Sequence, residues 1–346
     1  MTELVCSTAD RDAWLAARRE GITATDIGVI LGLVAWDSPF ALYWRKKGKL
    51  PEVEESDRMR LGSWLEDAIM QEWEGGEGWR EVTGPGGLFR STSRPWQLAT
   101  PDALVRDLHD GTEDESGPVI AVLECKTSAT KDGWGPGGMS QPLPEGELLD
   151  EWQGRVNQVP AHVRAQVLWQ MDTLDVAVGH VAVVFLPSGE FRSYTITHDP
   201  AHVLTLTESE TCDLCRDIIL MRGHGLAFMD RLERELPPPV DGSPVTTGAL
   251  RHLHAGAVKG KQAVIADRVA RVYTEACHQV KQMEYLKRQT ENQIREAMGD
   301  ATLAVDPDGE VIARRDVFKN SGYTVSPFEV DRLVRVTTKE DNNGTS

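Results

Sequence analysis

The chain has 346 residues, of which 40% are hydrophobic and 26% charged, and a formal net charge of -17. That length builds one large core or two modest ones without disulfide or metal staples, and no apolar run approaches the length needed to cross a bilayer. The acidity argues against nonspecific coating of nucleic acid, since phosphate neutralisation needs Lys and Arg, but it is compatible with a cleft that gathers carboxylates around cations.

The first residues, MTELVCSTADRDAW, place acids ahead of any apolar block, so no secretory signal is expected and the protein is assigned to the cytoplasm. Asp10 is a cap for a helix to about Arg19, TATDIGVILGL reads as a second helix, and SPFALYWRKKG as a third with Ser38 as cap, Pro39 in its first turn and Gly48 as stop. RMRLGSWLEDAIMQEWEGG predicts a fourth helix with Leu61, Trp64, Leu65, Ala68, Ile69 and Trp73 on one apolar face and Glu66 beside it. Trp14, Trp36, Trp64 and Trp169 are read as core aromatics.

From about residue 79 the pattern changes to short segments punctuated by turns, WREVT, GGLFR, WQLATPDALVRD and PVIAVLECKTS, which predict one antiparallel sheet. An irregular stretch rich in Gly and Pro, 131 to 160, has the character of a functional loop. AHVRAQVLWQMDTLDVA then reads as a helix, HVAVVFL and EFRSYTIT as a strand pair, and a helix through about 230 closes the domain. Five cysteines, an odd number, argue against a disulfide framework. Cys212 and Cys215 form a lone CxxC with no second pair at zinc spacing, and packed thiols are the simpler reading.

Successive prolines make 234–246 the best linker, separating a domain over 1–233 from an accessory helix and hairpin over 247–335, with a disordered tail at 336–346. The stretch 251–298 carries nine Lys/Arg against five Asp/Glu and predicts one basic helix of roughly forty residues. WRKKGK at 44–49 is a second basic cluster.

The chemistry-bearing residues fall in the predicted sheet. Strand periodicity of two sends Glu124 and Lys126 to one face and Cys125 to the other, and TPDALV places Asp102 at the start of a neighbouring strand. Asp102 and Glu124, with the backbone carbonyl of Cys125, form an oxygen set suited to a hard divalent cation. Lys126 can orient the attacking water and stabilise charge developing on a phosphate, and Glu66 can add a further ligand. A bare ExK is also what a solvated ion pair at a strand end looks like, so the motif gains meaning only from its context.

That context resembles the PD-(D/E)xK nucleases, and within them the YqaJ-type viral recombinase and phage lambda exonuclease family. The matching stretches run in order over roughly residues 9 to 200. Trp14-x-x-x-Arg18-x-x-Gly21-Ile22-Thr23-Ala24-Thr25-Asp26-Ile27 comes first, with LGLVAWDSPFALYWRKKG after it. Leu61-Gly62-x-x-Leu65-Glu66, ATPDAL with LECKTS, and Gln166-Val167-x-x-Gln170-Met171 follow.

The resemblance implies an α+β fold, a restriction-endonuclease-like core with a mixed central β-sheet flanked by helices, extended at the C-terminus by a helical part and a small β-hairpin. It implies a metal-dependent exonuclease that degrades linear double-stranded DNA from 5′ to 3′, leaving 3′ overhangs for phage-type recombination in a bacterial host. Asp102, Glu124 and Lys126 become the catalytic trio, with Glu66 the helical acid and Gln166 close to the metal site. Asp102, Glu124, Glu66 and the Cys125 carbonyl hold Mg²⁺, or Mn²⁺ in its place. Arg18 and Thr25 become candidates for a 5′-phosphate, a guanidinium being able to meet two phosphate oxygens at once, while Gln170 and Trp134 are candidates for further DNA contact. A ring of identical copies and a single-strand annealing protein are the implied partners. An endonuclease or Cas4-like nuclease on the same core, and a non-catalytic DNA-end-binding protein, are the alternatives.

Overall fold

The computed structural model describes residues 2–77, 80–84, 87–107, 117–137, 157–198, 213–256 and 258–316. Cys212, most of the irregular stretch and the tail at 336–346 lie outside the described residues. The chain divides into two compact units, Met1–Ala255 and Gly256–Ser346.

The first unit begins with β1 (Thr2–Cys6), α1 (Arg11–Arg19), α2 (Ala24–Ile30), α3 (Pro39–Lys46) and α4 (Asp57–Glu77). Strands β2 (Arg80–Thr83), β3 (Leu88–Ser91), β4 (Leu98–Ala99), β5 (Ala103–Asp107) and β6 (Val119–Ser128) follow. Then come α5 (Ala161–Leu174), β7 (Val178–Phe185), β8 (Glu190–Thr197), α6 (Asp213–Glu233) and α7 (Pro244–Leu253). The helix starts are set by side chains that satisfy otherwise unpaired N–H groups. Asp10 accepts from the Ala13 N–H at 3.1 Å, Thr23 and Asp26 close a capping box on α2, and Ser38 caps α3 with Pro39 in its first turn.

The strands form two sheets, not the single one expected. The central sheet has the order β2-β5-β6-β7-β8, with β6 and β7 parallel and the other pairs antiparallel, while β1, β3 and β4 form a separate three-stranded antiparallel sheet. A parallel pair needs a long crossover, and α5 supplies it between β6 and β7. Gly179 lets that helix lie close: a Cβ there would meet Val167 Cγ1 at 2.4 Å.

The two faces of the central sheet carry different cores. Leu104, Val122, Val181 and Val183 pack with Val163 and Val167 of α5. Ala103, Ala121, Leu123, Cys125 and Ala182 pack with Ile69, Met70 and Trp73 of α4. This placement corrects the expected stripe on α4, because Leu61 and Trp64 face solvent. With about 3.6 residues per turn, the face holding Ile69 and Trp73 also includes Gly62 and Glu66 and turns Trp64 away. Trp36 is likewise exposed, whereas Trp169 is fully buried and Trp14 half-buried.

The stretch 234–246 lies within the first unit, where α7 packs on α3 and Thr246 Oγ1 bonds Ser38 Oγ at 2.8 Å. The expected forty-residue basic helix is therefore two helices, α7 and, in the second unit, α8 (Asp267–Met298). The second unit also holds the hairpin of β9 (Leu303–Val305) and β10 (Val311–Arg314), antiparallel as expected. No helix among the described residues is long and apolar enough to cross a membrane.

Candidate active site

Alternation along β6 puts Glu124 and Lys126 on the α5 side of the sheet, while Cys125 packs against α4. Glu124 is 1% exposed. A buried carboxylate needs partners, and this one has three. Lys126 Nζ pairs with Oε1, Gln166 Nε2 donates to Oε1 at 2.5 Å, and Gln170 Nε2 donates to Oε2 at 2.6 Å. The two glutamines stand four apart on one face of α5, so the helix that makes the parallel crossover also aims both amides at the carboxylate.

Asp102 reaches the cluster from the chain just before β5, and its Oδ2 accepts the Cys125 N–H at 2.7 Å. Burial, then the neighbouring Glu124 charge, hold the Asp102 carboxyl well above the usual carboxylate range, against the pull of Lys126. Glu66 joins from α4. A Cβ on Gly62, one turn earlier, would lie 3.8 Å from Thr127 Oγ1, which shows how closely the helix passes β6. The Glu66 carboxyl is also raised, by burial first and by Glu124 next. Burial works against the Lys126 ammonium, but Glu124 and Asp102 outweigh it and lift its pKa above the usual lysine value. The Cys125 thiol is driven up by burial and by the nearby carboxylates, so it is no nucleophile.

Three carboxylates and one ammonium thus share a confined site, and two of the carboxylates resist ionisation. Such an arrangement suits a hard divalent cation, which takes oxygen ligands and relieves their mutual repulsion. Among the described residues no three His, Cys, Asp or Glu groups stand ready to hold a metal ion. Glu124 turns both oxygens toward Lys126, Gln166 and Gln170.

A second cluster lies at the junction of α1 and α2. Arg18 Nη2 donates to Thr25 Oγ1 at 3.0 Å, and the guanidinium lies 4.4 Å above the Trp14 ring. Thr25 is exposed at the start of α2, where N–H groups favour anions. The adjacent guanidinium, Arg19, is held by Glu52 at 2.7 Å. Lys46, a member of the WRKKGK basic cluster, has its side chain buried beneath this corner. Its Nζ reaches Asp26 Oδ2 at 2.8 Å, the Arg18 carbonyl at 2.9 Å and the Gly21 carbonyl at 2.6 Å. The signal was available: Lys46 stands three and four residues after buried Tyr43 and Leu42, on the inner face of α3.

Trp134, an expected DNA contact, packs its half-buried ring against Phe185 and Tyr194, with centroids at 6.0 and 5.4 Å. Its neighbour Gly135 accepts hydrogen bonds from Arg192 and Tyr194. This position supports the sheet edge and does not present the indole as a free surface.

Residues 13–176, which span both clusters, match the family model of the YqaJ-like viral recombinase domain. The YqaJ protein of Bacillus subtilis (strain 168), itself uncharacterized, is 26% identical over 301 residues, covering 85% of this chain and 80% of its own. The alkaline exonuclease LHK-Exo from Laribacter hongkongensis superposes with a TM-score of 0.44 at 17% identity, over 65% of this chain and 94% of its own. A phage-related exonuclease from Haemophilus somnus 129PT gives a TM-score of 0.39 at 10% identity, over 62% of this chain and 96% of its own.

Proposed function

We propose that this chain is a metal-dependent exonuclease that hydrolyses linear double-stranded DNA from its 5′ end and leaves 3′ overhangs for recombination. The observation that carries the reading is the convergence on Glu124. A carboxylate in a solvated ion pair would not be buried, nor would two glutamine amides from a crossover helix be spent on it.

Asp102, Glu124 and Glu66, with the Cys125 carbonyl, are the groups to hold a Mg²⁺ or Mn²⁺ ion. The ion would supply polarisation of the scissile phosphate and charge neutralisation that a site this acidic lacks alone. Lys126, charged at neutral pH, stabilises negative charge developing on the phosphate and positions the attacking water. Gln166 and Gln170 hold the Glu124 carboxylate from α5. Arg18 and Thr25 take the terminal 5′-phosphate, with Trp14 holding the guanidinium plane. The implied ring of copies and the annealing partner belong to the same reading and rest on the family alone.

Digestion of end-labelled linear duplex, with Mg²⁺ and with chelator, tests the assignment. Label at the 5′ end should be released first, only with metal, and covalently closed circles should survive. Glu124→Ala and Lys126→Ala should each stop cleavage while leaving the far-ultraviolet circular dichroism spectrum intact. Turnover retained in both variants would remove the site, and cutting of closed circles would reassign the enzyme as an endonuclease.

A further inference from the structure

The stripe on α5 that carries Gln170 and Gln166 does not end at the carboxylate cluster. One turn further out, about 6 Å along the axis, the same face carries His162. Burial, and then the charge of Lys126, push the His162 imidazole below its usual pKa, which puts it within electrostatic reach of the catalytic ammonium. Against this ring stands Trp36, from the segment between α2 and α3. The two rings meet edge to face, with centroids 5.1 Å apart and planes at 85°.

Trp36 is 67% exposed, yet its backbone is not loose. The next residue, Asp37, pairs with Arg45 of α3 and accepts the Ser38 N–H at 2.7 Å, and Ser38 is the α3 cap. On the other side α2 passes beneath His162, where a Cβ on Gly28 would lie 3.8 Å from the His162 Cβ. A large aromatic ring is therefore held in solvent by a salt bridge, a helix cap and a second ring. Exposure of an indole is unfavourable in water, and its position one helical turn beyond the groups around Glu124 suggests what covers it.

We propose that Trp36, braced by His162, is a stacking platform for a nucleobase of the DNA strand whose phosphate enters the site at Glu124 and Lys126. The inference rests on the nuclease reading for the position of the phosphate, and it adds a residue that the catalytic set does not include. Base stacking on an aromatic side chain tolerates any sequence, because every base presents a π-face. That suits an enzyme that must advance through all sequences, and it gives the strand a grip that does not depend on salt, beside phosphate contacts that do.

The test uses the full chain and a linear duplex carrying 2-aminopurine at successive positions from one 5′ end, with binding measured in chelator. Wild-type protein should quench the probe at one or two adjacent positions, Trp36→Ala should abolish that quench, and Trp36→Phe should restore part of it. In Mg²⁺, Trp36→Ala should raise KM by about 5- to 100-fold, the range expected for loss of one stacked base, with kcat much less affected. The KM effect should disappear on a duplex with an abasic residue at the quenched position. Equal weakening on normal and abasic duplexes, or a quench that survives in Trp36→Ala, would overturn the platform. The two readings fail separately: quenching that depends on Trp36 without cleavage sinks the nuclease and keeps the platform, and cleavage without such quenching does the reverse.

Discussion

Replacing Asp102 by Asn should make the protein more stable and inactive at once. Asn keeps the shape of the side chain, and its Oδ1 can accept the Cys125 N–H that now runs 2.7 Å to Asp102 Oδ2. What it removes is a charge that the fold resists. Burial and Glu124 raise the Asp102 pKa in the folded protein, so the ionised form costs stability at neutral pH, and that cost disappears once acid falls below the unfolded value of about 3.9. Relief of one such contact at a functional site is worth about 1–2 kcal/mol. For a unit of this size, 1 kcal/mol moves Tm by roughly 2–4 °C, so a rise of about 2–8 °C is expected in chelator. Mg²⁺ should narrow or reverse the gap, because an ion bound only by the folded wild type adds stability by mass action, and the variant has lost a ligand. Differential scanning calorimetry with and without Mg²⁺ reads both effects, and the digestion assay should show a loss on the order of a thousandfold. A lower Tm for Asp102→Asn in chelator, or a Mg²⁺ shift as large as that of the wild type, would refute the account of three crowded carboxylates awaiting a cation.

Arg18→Ala should cut the preference for 5′-phosphorylated over 5′-hydroxyl ends by about 10- to 100-fold, the worth of a charge-assisted hydrogen bond. Arg19→Ala, at a guanidinium already engaged by Glu52, should leave that ratio unchanged in competition digests. For Asp26, burial raises the carboxyl pKa, but Lys46, Arg18 and the Thr23 N–H together carry it below the usual value. Its contribution is therefore full above about pH 4 and drains as pH falls through the folded pKa. Urea unfolding should show Asp26→Asn less stable by about 3 kcal/mol at neutral pH, with the difference shrinking below pH 4, and a pH-independent difference would contradict the pairing.

How far the sequence carried these conclusions depended on whether a residue's surroundings were local. The helix caps at Asp10 and Ser38 satisfy groups three residues away, so they could be read directly. The sharing of a face by Glu124 and Lys126 follows from the strand repeat alone. The division into two sheets did not follow, because the partners of β3 are β1, far back at the N-terminus, and β4, and nothing in GGLFR distinguishes those neighbours from β5. Trp36 and Trp64 were expected in the core because an indole is apolar, but side-chain character does not say which side of a helix or loop the core lies on. Lys46 was read only as one member of the WRKKGK cluster, and its ammonium is buried against an acid and two carbonyls. Gln170 was a candidate for DNA contact, and its bond to Glu124 depends on how near α5 lies to β6, which helix periodicity does not give.

One tie between the two clusters gives the fold its functional logic. An enzyme that recognises a terminal phosphate and cuts at a set distance from it needs both groups on one rigid frame. Here the frame is α5. On its sheet side Gln166 and Gln170 hold Glu124, while Trp169, between them in sequence, turns away and donates its indole N–H to the Ile22 carbonyl at 3.3 Å and the Leu98 carbonyl at 3.0 Å. Ile22 is the residue between Gly21 and Thr23, so the corner carrying Arg18 and Thr25 is anchored to the same helix. Gly21 itself is pressed so near the Trp96 carbonyl that a Cβ would come within 2.4 Å of it. Lys46 then secures the Gly21 and Arg18 carbonyls from below. On the proposed reading, Gly21 and Trp169 fix the offset between the end that is read and the bond that is cut, and neither needs to touch DNA to do so.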